Sequence, residues 1–232
     1  MKQRLSFRDY EKKIDAEGTV WEKKQQPRKA VETYDSFLRE LEAVHPETKR
    51  ETREKDAIIA YLMLRKAGIL METEEVKGAE ALMIKAAEHA EGSGNPTMIG
   101  RAKLGLGVYY GSSSKFEEAD KLLTEALTMF NKKKDYDSRQ GAGWCLLNLG
   151  GLQLKKSNLK EAEDRLNQAI ILLKRIKNWI GVGTAYEMMA KISKAKNDRV
   201  RVQENLLMAI EFFDKEGMSE KAELLRNELK SI

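Results

Sequence analysis

The sequence predicts an all-α fold, an α-solenoid of stacked antiparallel helix pairs that ends in a capping helix. The main observation is a rhythm of small residues, in which Gly or Ala recurs at offsets of 12 and 7 residues. Successive copies of this triplet begin 40 to 49 residues apart, and such a period is typical of repeat architectures. The copies, of which the first is the faintest, are Gly18, Ala30 and Phe37; Ala67, Ala79 and Ala86; Gly107, Ala119 and Ala126; Gly150, Ala162 and Ala169; and Ala190, Val202 and Ala209.

The copy over residues 101–130 indicates how one repeat is built. Apolar residues recur at helical spacing in two segments, and a Gly-Ser-Ser-Ser run over 111–114 separates them. A small residue at Gly107 lets the second helix approach the first, and Ala119 and Ala126 accept the neighbouring helices. One such pair cannot bury both of its faces, so neighbouring pairs complete the core.

The first two helix pairs follow in order along the chain. Pro27 stands at the first turn of the second helix, where its missing N–H is tolerated. A charged stretch over 45–55 is either a loop or the exposed start of the next helix. The helices of these pairs are predicted at 5–24 with 28–43 and at 55–72 with 75–91.

Three further pairs follow the break that Gly92 to Pro96 makes in the helical pattern. Their helices are predicted at 97–112 with 116–132, at 138–156 with 159–176, and at 180–196 with 199–214. Gly217 then ends the last pair as a helix C-cap. The whole chain, 1–232, is predicted to be a single domain whose five pairs span 5–43, 55–91, 97–132, 138–176 and 180–214.

A capping helix is predicted over 219–230. Its apolar residues recur at helical spacing, which predicts that they point inward: Ala222, Leu224, Leu225 and Leu229. They would cover apolar residues of the fifth pair, namely Leu206, Leu207, Ile210 and Phe213. A terminal repeat needs such a cap because its last face would otherwise meet water.

The composition excludes several classes of protein. Hydrophobic residues make up 41% of the 232 residues and charged residues 34%, which favours a folded helical protein over a disordered one. The chain has no apolar stretch of about 18 to 20 residues, the length that a membrane span needs. Its first ten residues lack the apolar run of a signal peptide. With one cysteine there is no internal disulfide, so we expect a reducing, cytoplasmic compartment.

Residues that carry chemistry are scarce. The chain has two histidines and one cysteine, and none of them has metal-ligand spacing. Cys145 and His89 are the only pair that could form a Cys–His nucleophile, but Cys145 is better interpreted as a small apolar residue between helices. Gly105-x-Gly107 lies inside a helix and is not a phosphate-binding loop. We therefore expect no enzyme activity, no catalytic residues, no cofactor and no metal.

The repeat resembles a known family. The run Leu106-Gly107-x-x-Tyr110, followed by Phe116, Ala119, Leu123 and Ala126, resembles the tetratricopeptide repeat (TPR). The consensus TPR is 34 residues long, whereas these copies are 40 to 43 residues apart. Longer repeats of this sort resemble those of kinesin light chains, LGN-type polarity adaptors and bacterial Rap- or MalT-like regulators, most clearly over Gly141 to Gly150. The resemblance implies a right-handed superhelix that acts as a protein–protein interaction scaffold, and it leaves the partner open.

The resemblance also implies a groove lined by the first helix of each pair. Its positions in this chain are Arg101, Leu104, Val108 and Gly111; Trp144, Leu147, Gly151, Leu154 and Lys155; and Thr184, Glu187, Lys191 and Lys194. Trp144 is either an anchor for a partner peptide or amphipathic helix, or ordinary packing between repeats. The sequence alone does not decide between these two roles.

Charge suggests an alternative partner. The net charge of +5 is concentrated in residues 143–203, which carry 12 Lys and Arg against 5 Asp and Glu. The predicted basic patch consists of Lys155, Lys156, Lys160, Lys174, Arg175, Lys177, Lys191, Lys194, Lys196, Arg199 and Arg201. It would suit RNA or an acidic protein segment. Nucleic acid is the weaker alternative because aromatic residues are not interleaved as base-stacking platforms.

Overall fold

The computed structural model describes residues 7–23, 26–73 and 76–232, which form helices joined by short turns. No strand occurs in these three ranges. The helices are α1 Phe7–Lys23, α2 Pro27–Glu42, α3 Lys49–Glu72, α4 Val76–Ser93, α5 Pro96–Ser112, α6 Phe116–Phe130, α7 Tyr136–Lys155, α8 Leu159–Arg175, α9 Trp179–Ala195, α10 Arg199–Lys215 and α11 Ser219–Lys230. The predicted all-α class is confirmed.

The helix bounds follow the sequence pattern closely, apart from the start of α3. That helix begins at Lys49, so the second half of the charged stretch is its exposed first turn. Thr48 caps it by accepting a hydrogen bond from the Glu51 N–H at 3.1 Å, and the Glu51 carboxylate accepts one from the Glu47 N–H at 2.8 Å. This exchange is similar to a capping box. The predicted helix ends at residues 5, 24 and 75 lie outside the described residues.

The helices belong to two compact units, Met1–Ser113 and Ser114–Ile232. The first unit contains α1 to α5 and the second contains α6 to α11. The boundary falls in the turn after α5, inside the third predicted pair. The pairing of α5 with α6, and the prediction of a single domain over 1–232, therefore stay predictions.

Small residues allow helices of the second unit to cross closely. A Cβ added to Gly150 would lie 2.8 Å from two atoms of the Leu166 side chain, and one added to Gly143 would lie 2.5 Å from Leu173. Both leucines are completely buried. Ala162, at the next position of the same triplet, is also completely buried. The role predicted for the small-residue triplet is thus confirmed for the copy that begins at Gly150.

The turns of the second unit repeat with great regularity. Ser157, Lys177, Asn197 and Gly217 have φ values of 61°, 58°, 57° and 72°, in the left-handed region, and they lie 20 residues apart. After each of them, the next N–H donates to the carbonyl five residues before it, at 2.9 to 3.0 Å. This hydrogen bond defines a Schellman motif. The predicted C-cap at Gly217 is confirmed, and one helix plus its turn occupies 20 residues.

The capping helix α11 covers the end of α10, but two of the predicted contacts are wrong. Ala222 and Leu225 are buried, as the pattern predicts. Leu224, predicted to point inward, is 70% exposed, and Leu207, predicted to lie beneath the cap, is 55% exposed. Leu224 points outward because α11 continues the register of α7 and α9, in which the corresponding residues, Trp144 and Thr184, do not lie in the core.

Candidate partner-binding face

The predicted groove residues lie on the first helices of the pairs, and the structure divides them between the two units. Arg101, Leu104 and Val108 are on α5 of the first unit. The remaining positions are on α7 and α9 of the second unit, which pack side by side. A single groove that runs through both sets stays a prediction, and each set is described within its own unit.

In the first unit, Arg101 is held by an intrachain network. Its guanidinium donates to the Glu11 carboxylate of α1 at 2.9 Å and lies 5.4 Å from the centre of the Tyr61 ring on α3. The Tyr61 hydroxyl donates to Asp15 at 2.6 Å, and burial together with this bond raises the pKa of Tyr61. Arg101 therefore joins α1, α3 and α5. The neighbouring groove residues of α5, Leu104 and Val108, are half-buried.

In the second unit, the α7 positions differ in their access to solvent. Trp144 is half-buried, because part of it packs against the core while the rest stays accessible. Both roles weighed for this residue are thus compatible with its position. Leu154 is likewise half-buried against the core. Leu147 is only 1% exposed and belongs to the core itself, so its assignment to the groove surface is corrected.

Gly151 leaves a shallow notch next to the tryptophan. It lies seven residues after Trp144, on the same face of α7. A Cβ added there would lie 3.4 Å from the Met188 Cε and 3.6 Å from its Sδ, which are ordinary contacts with a flexible side chain. Packing within the unit therefore does not require glycine at this position, in contrast to the adjacent Gly150.

On α9, the two predicted groove residues form an ion pair with each other. Lys191 donates to Glu187 at 2.9 Å, and Lys221 of α11 approaches the other carboxylate oxygen of Glu187 at 3.0 Å. Burial would raise the pKa of Glu187, but the hydrogen bonds from the two lysines outweigh this and hold the pKa below its usual value. Glu187 thus connects α9 to the capping helix as an ionised carboxylate.

These observations define one surface within the second unit, which we call the first-helix face. It consists of Trp144 and Gly151 on α7, Thr184, Glu187, Met188 and Lys191 on α9, and Leu224 on α11. Sequence reasoning missed Met188 and Leu224. The repeat period could have found Leu224, because it lies 40 residues after Thr184 and 80 after Trp144.

The predicted basic patch is not one surface, and this corrects the sequence-based grouping. Lys160 and Lys174 are 14 residues apart on α8, so they lie about 21 Å from each other at 1.5 Å per residue. The patch therefore divides between two ends of the unit. Lys155, Lys156, Lys160, Lys191, Lys194, Lys196, Arg199 and Arg201 are near the turns after α7 and α9, and Lys174, Arg175 and Lys177 are near the turn after α8.

Several cations of the former patch have partners within the unit. Lys156 pairs with Glu117 at 3.3 Å, Lys194 pairs with Glu228 at 3.6 Å, and Lys196 pairs with Glu163. Lys174 donates to the Tyr186 hydroxyl at 3.1 Å and lies 5.4 Å from the centre of the Phe212 ring. These contacts account for much of the local charge as bonds between helices.

The candidate nucleophile is inaccessible in the folded chain. Cys145 is completely buried in α7, and this burial raises the pKa of its thiol to about 12. The imidazole of His89, in the first unit, is hydrogen-bonded to Asp56 at 2.8 Å. In the ranges that the structure describes, no cluster of three His, Cys, Asp or Glu side chains could hold a metal ion. None of the helices in those ranges is long and apolar enough to cross a bilayer.

Solved structures share this architecture at low sequence identity. BtubC (BKLC) from P. vanneervenii matches with a TM-score of 0.59 and 16% identity over 95% of this chain and 81% of its own. The apo form of RapI matches with a TM-score of 0.56 and 11% identity over 90% of this chain and 66% of its own. A Rap protein complexed with competence and sporulation factor matches with a TM-score of 0.50 and 14% identity, over 92% of this chain and 72% of its own.

These similarities show the fold alone, because the identities are far below 25%. No family model matches the chain, and no curated protein sequence matches it either. The chain has an all-α helical-repeat fold like that of BtubC and the Rap proteins. Membership of the TPR family stays a prediction.

Proposed function

We propose that this protein is a non-catalytic adaptor that binds a segment of another protein on its first-helix face. The observation that carries the proposal is Trp144, a half-buried aromatic beside the notch at Gly151. Aromatic side chains that are partly seated in a rigid core are the usual anchors of protein interfaces. The fold it shares with a Rap protein complexed with competence and sporulation factor supports a binding role.

The surroundings of Trp144 also favour binding over catalysis. The Leu224 side chain is an exposed apolar group on the same face, and Met188 is an adaptable one. The charged residues Glu187 and Lys191 pair with each other, so neither is set apart as an acid or a base. The proposal includes the finer assignments to the TPR family and to a reducing, cytoplasmic compartment, where a buried thiol such as Cys145 stays reduced.

The test is selection of peptides from a phage-displayed random library on the intact protein. The selected peptides are then titrated against a variant in which Trp144 is the only tryptophan, made by Trp21→Phe and Trp179→Phe. We expect the Trp144 fluorescence to shift to the blue on binding. Trp144→Ala should weaken binding by about 30-fold, which corresponds to the roughly 2 kcal/mol typical of a hot-spot aromatic.

A second variant separates loss of the site from loss of the fold. Gly151→Gln fills the notch with a good helix former, and only the flexible Met188 is near the new side chain. It should keep the far-UV circular dichroism and thermal stability of the wild type while weakening the selected peptides. If peptides bind Trp144→Ala and Gly151→Gln as tightly as wild type, the face is not the binding site.

A further inference from the structure

We infer that the partner segment is an amphipathic α-helix with an acidic flank, laid across α7, α9 and α11. This inference rests on the proposed function and specifies the ligand of the same face. It follows from three features of the described second unit, which are a row of equivalent positions, the hydrogen bonding of the polar side chains, and the placement of the exposed lysines.

The first feature is a row of positions that crosses the three first helices. Thr184 and Leu224 each lie seven residues after a left-handed turn residue, Lys177 and Gly217. Trp144 lies 40 residues before Thr184, one full repeat earlier. The three residues therefore have equivalent places on α7, α9 and α11, with an apolar side chain at each end of the row and the short Thr184 between them.

The second feature is that polar side chains of this face bond to their own helices. Asn148 donates its amide to the Trp144 carbonyl at 2.8 Å. Thr184 donates its hydroxyl to the Ile180 carbonyl at 2.9 Å. An extended peptide needs partners for its backbone groups, whereas a helix satisfies its own. A surface whose polar groups are turned back on themselves suits the helix.

The third feature is charge. Towards the C-terminal ends of α7 and α9, the cations Lys155, Lys191 and Lys194 are exposed, the last two with 58% and 68% of their side-chain surface accessible. The carboxylate of Glu187, in contrast, is only 18% exposed beneath them. A partner thus meets positive charge along this edge of the row. Acidic residues on one flank of the bound helix would complement it.

The length of the ligand follows from helix geometry. Packed helices lie about 8 to 10 Å apart, so the row from α7 to α11 spans about 16 to 20 Å. At 1.5 Å per residue this distance corresponds to about 11 to 14 residues of α-helix. Residues 11 and 14 apart lie on nearly the same helical face. One helix of about four turns can therefore place an apolar side chain against each of Trp144 and Leu224.

The test compares two displayed libraries on the intact protein. Both carry an apolar stripe with randomised flanks, and in the second library prolines at regular intervals prevent helix formation. Binders are collected from both and measured against Leu224→Ala, with Leu207→Ala as the matched control. Leu207 is a similarly exposed leucine, at 55%, on α10 outside this face. Both substitutions leave the core intact, so they should preserve folding.

The expected result is that binders come from the helical library, are rich in Asp and Glu on one flank, and gain helicity on binding. Leu224→Ala should weaken them at least tenfold and Leu207→Ala should not. Binders that depend on Trp144 but come from the proline library, or that ignore Leu224→Ala, would overturn the helical ligand and leave the adaptor proposal standing. If no binder from either library depends on Trp144, both proposals fail.

Discussion

Gly141 of α7 provides the sharpest test of how the second unit is packed. A Cβ added to this residue would lie 2.5 to 2.6 Å from three atoms of the Phe130 ring on α6. The ring is 1% exposed and rigid, so it cannot yield as the end of a flexible chain would. We therefore expect Gly141→Ala to destabilise the protein, although alanine is the better helix former.

The magnitude is a balance of two opposing terms. Optimal carbon–carbon contacts are about 3.5 to 4.0 Å, so the added methyl group is too close by about 1 Å. Overpacking of this kind costs typically about 1 to 3 kcal/mol, and contact with three ring atoms puts Gly141 near the upper value. Replacing an interior helix glycine by alanine returns about 1 kcal/mol. The expected net loss is about 2 kcal/mol.

Urea unfolding followed by circular dichroism measures this loss, and hydrogen exchange locates it in α6 and α7. The control is Gly68→Ala in the middle of α3, where nothing lies within 4 Å of the added Cβ. That variant should gain up to about 1 kcal/mol. Adding Phe130→Leu to Gly141→Ala should recover part of the loss. If Gly141→Ala is as stable as Gly68→Ala, the close approach of α6 to α7 is refuted.

Three further predictions follow from the turns, the thiol and the cap. Gly217→Ala should destabilise the protein by about 1 kcal/mol and Lys177→Gly should stabilise it by a similar amount, because both positions are left-handed; paired chemical denaturation curves with no difference would contradict this. With its pKa raised to about 12, the buried Cys145 thiol stays protonated at pH 8, so Ellman's reagent should react only in denaturant; rapid reaction of the native protein would contradict the burial. Deletion of 219–232 should uncover the completely buried Phe213 and lower hydrogen-exchange protection in α9 and α10 before α6 and α7; a uniform loss would argue against repeat packing.

The predictable part of the fold is the part that packing repeats. Small residues at fixed offsets indicate where helices cross, since only Gly or Ala fits against a buried leucine such as Leu166. Helix ends were equally accessible, because caps such as Gly217 and Pro27 have distinct conformational requirements. The start of α3 was ambiguous because a charged run is compatible with both a loop and an exposed first turn.

The candidate site was only partly predictable because a stripe of apolar residues does not reveal its inner edge. Leu224 and Leu225 are adjacent in sequence, yet one is exposed and the other buried. Only the register inherited from α9 separates them. In the same way, one turn of α7 places Leu147 in the core and Trp144 at its edge. Ion pairs such as Glu187 with Lys221 join residues far apart in sequence, and periodicity carries no signal for them.

The even spacing of the left-handed turn residues makes the second unit modular. Ser157 and Asn197 have nearly the same φ, and each follows a first helix of a pair. Excision of residues 158–197 would therefore join two equivalent turns and keep every remaining helix in register. Removal of one residue more or fewer would rotate the following helix by about 100°, because a turn takes 3.6 residues. A gene that lengthens or shortens this protein must do so in steps of 40 codons.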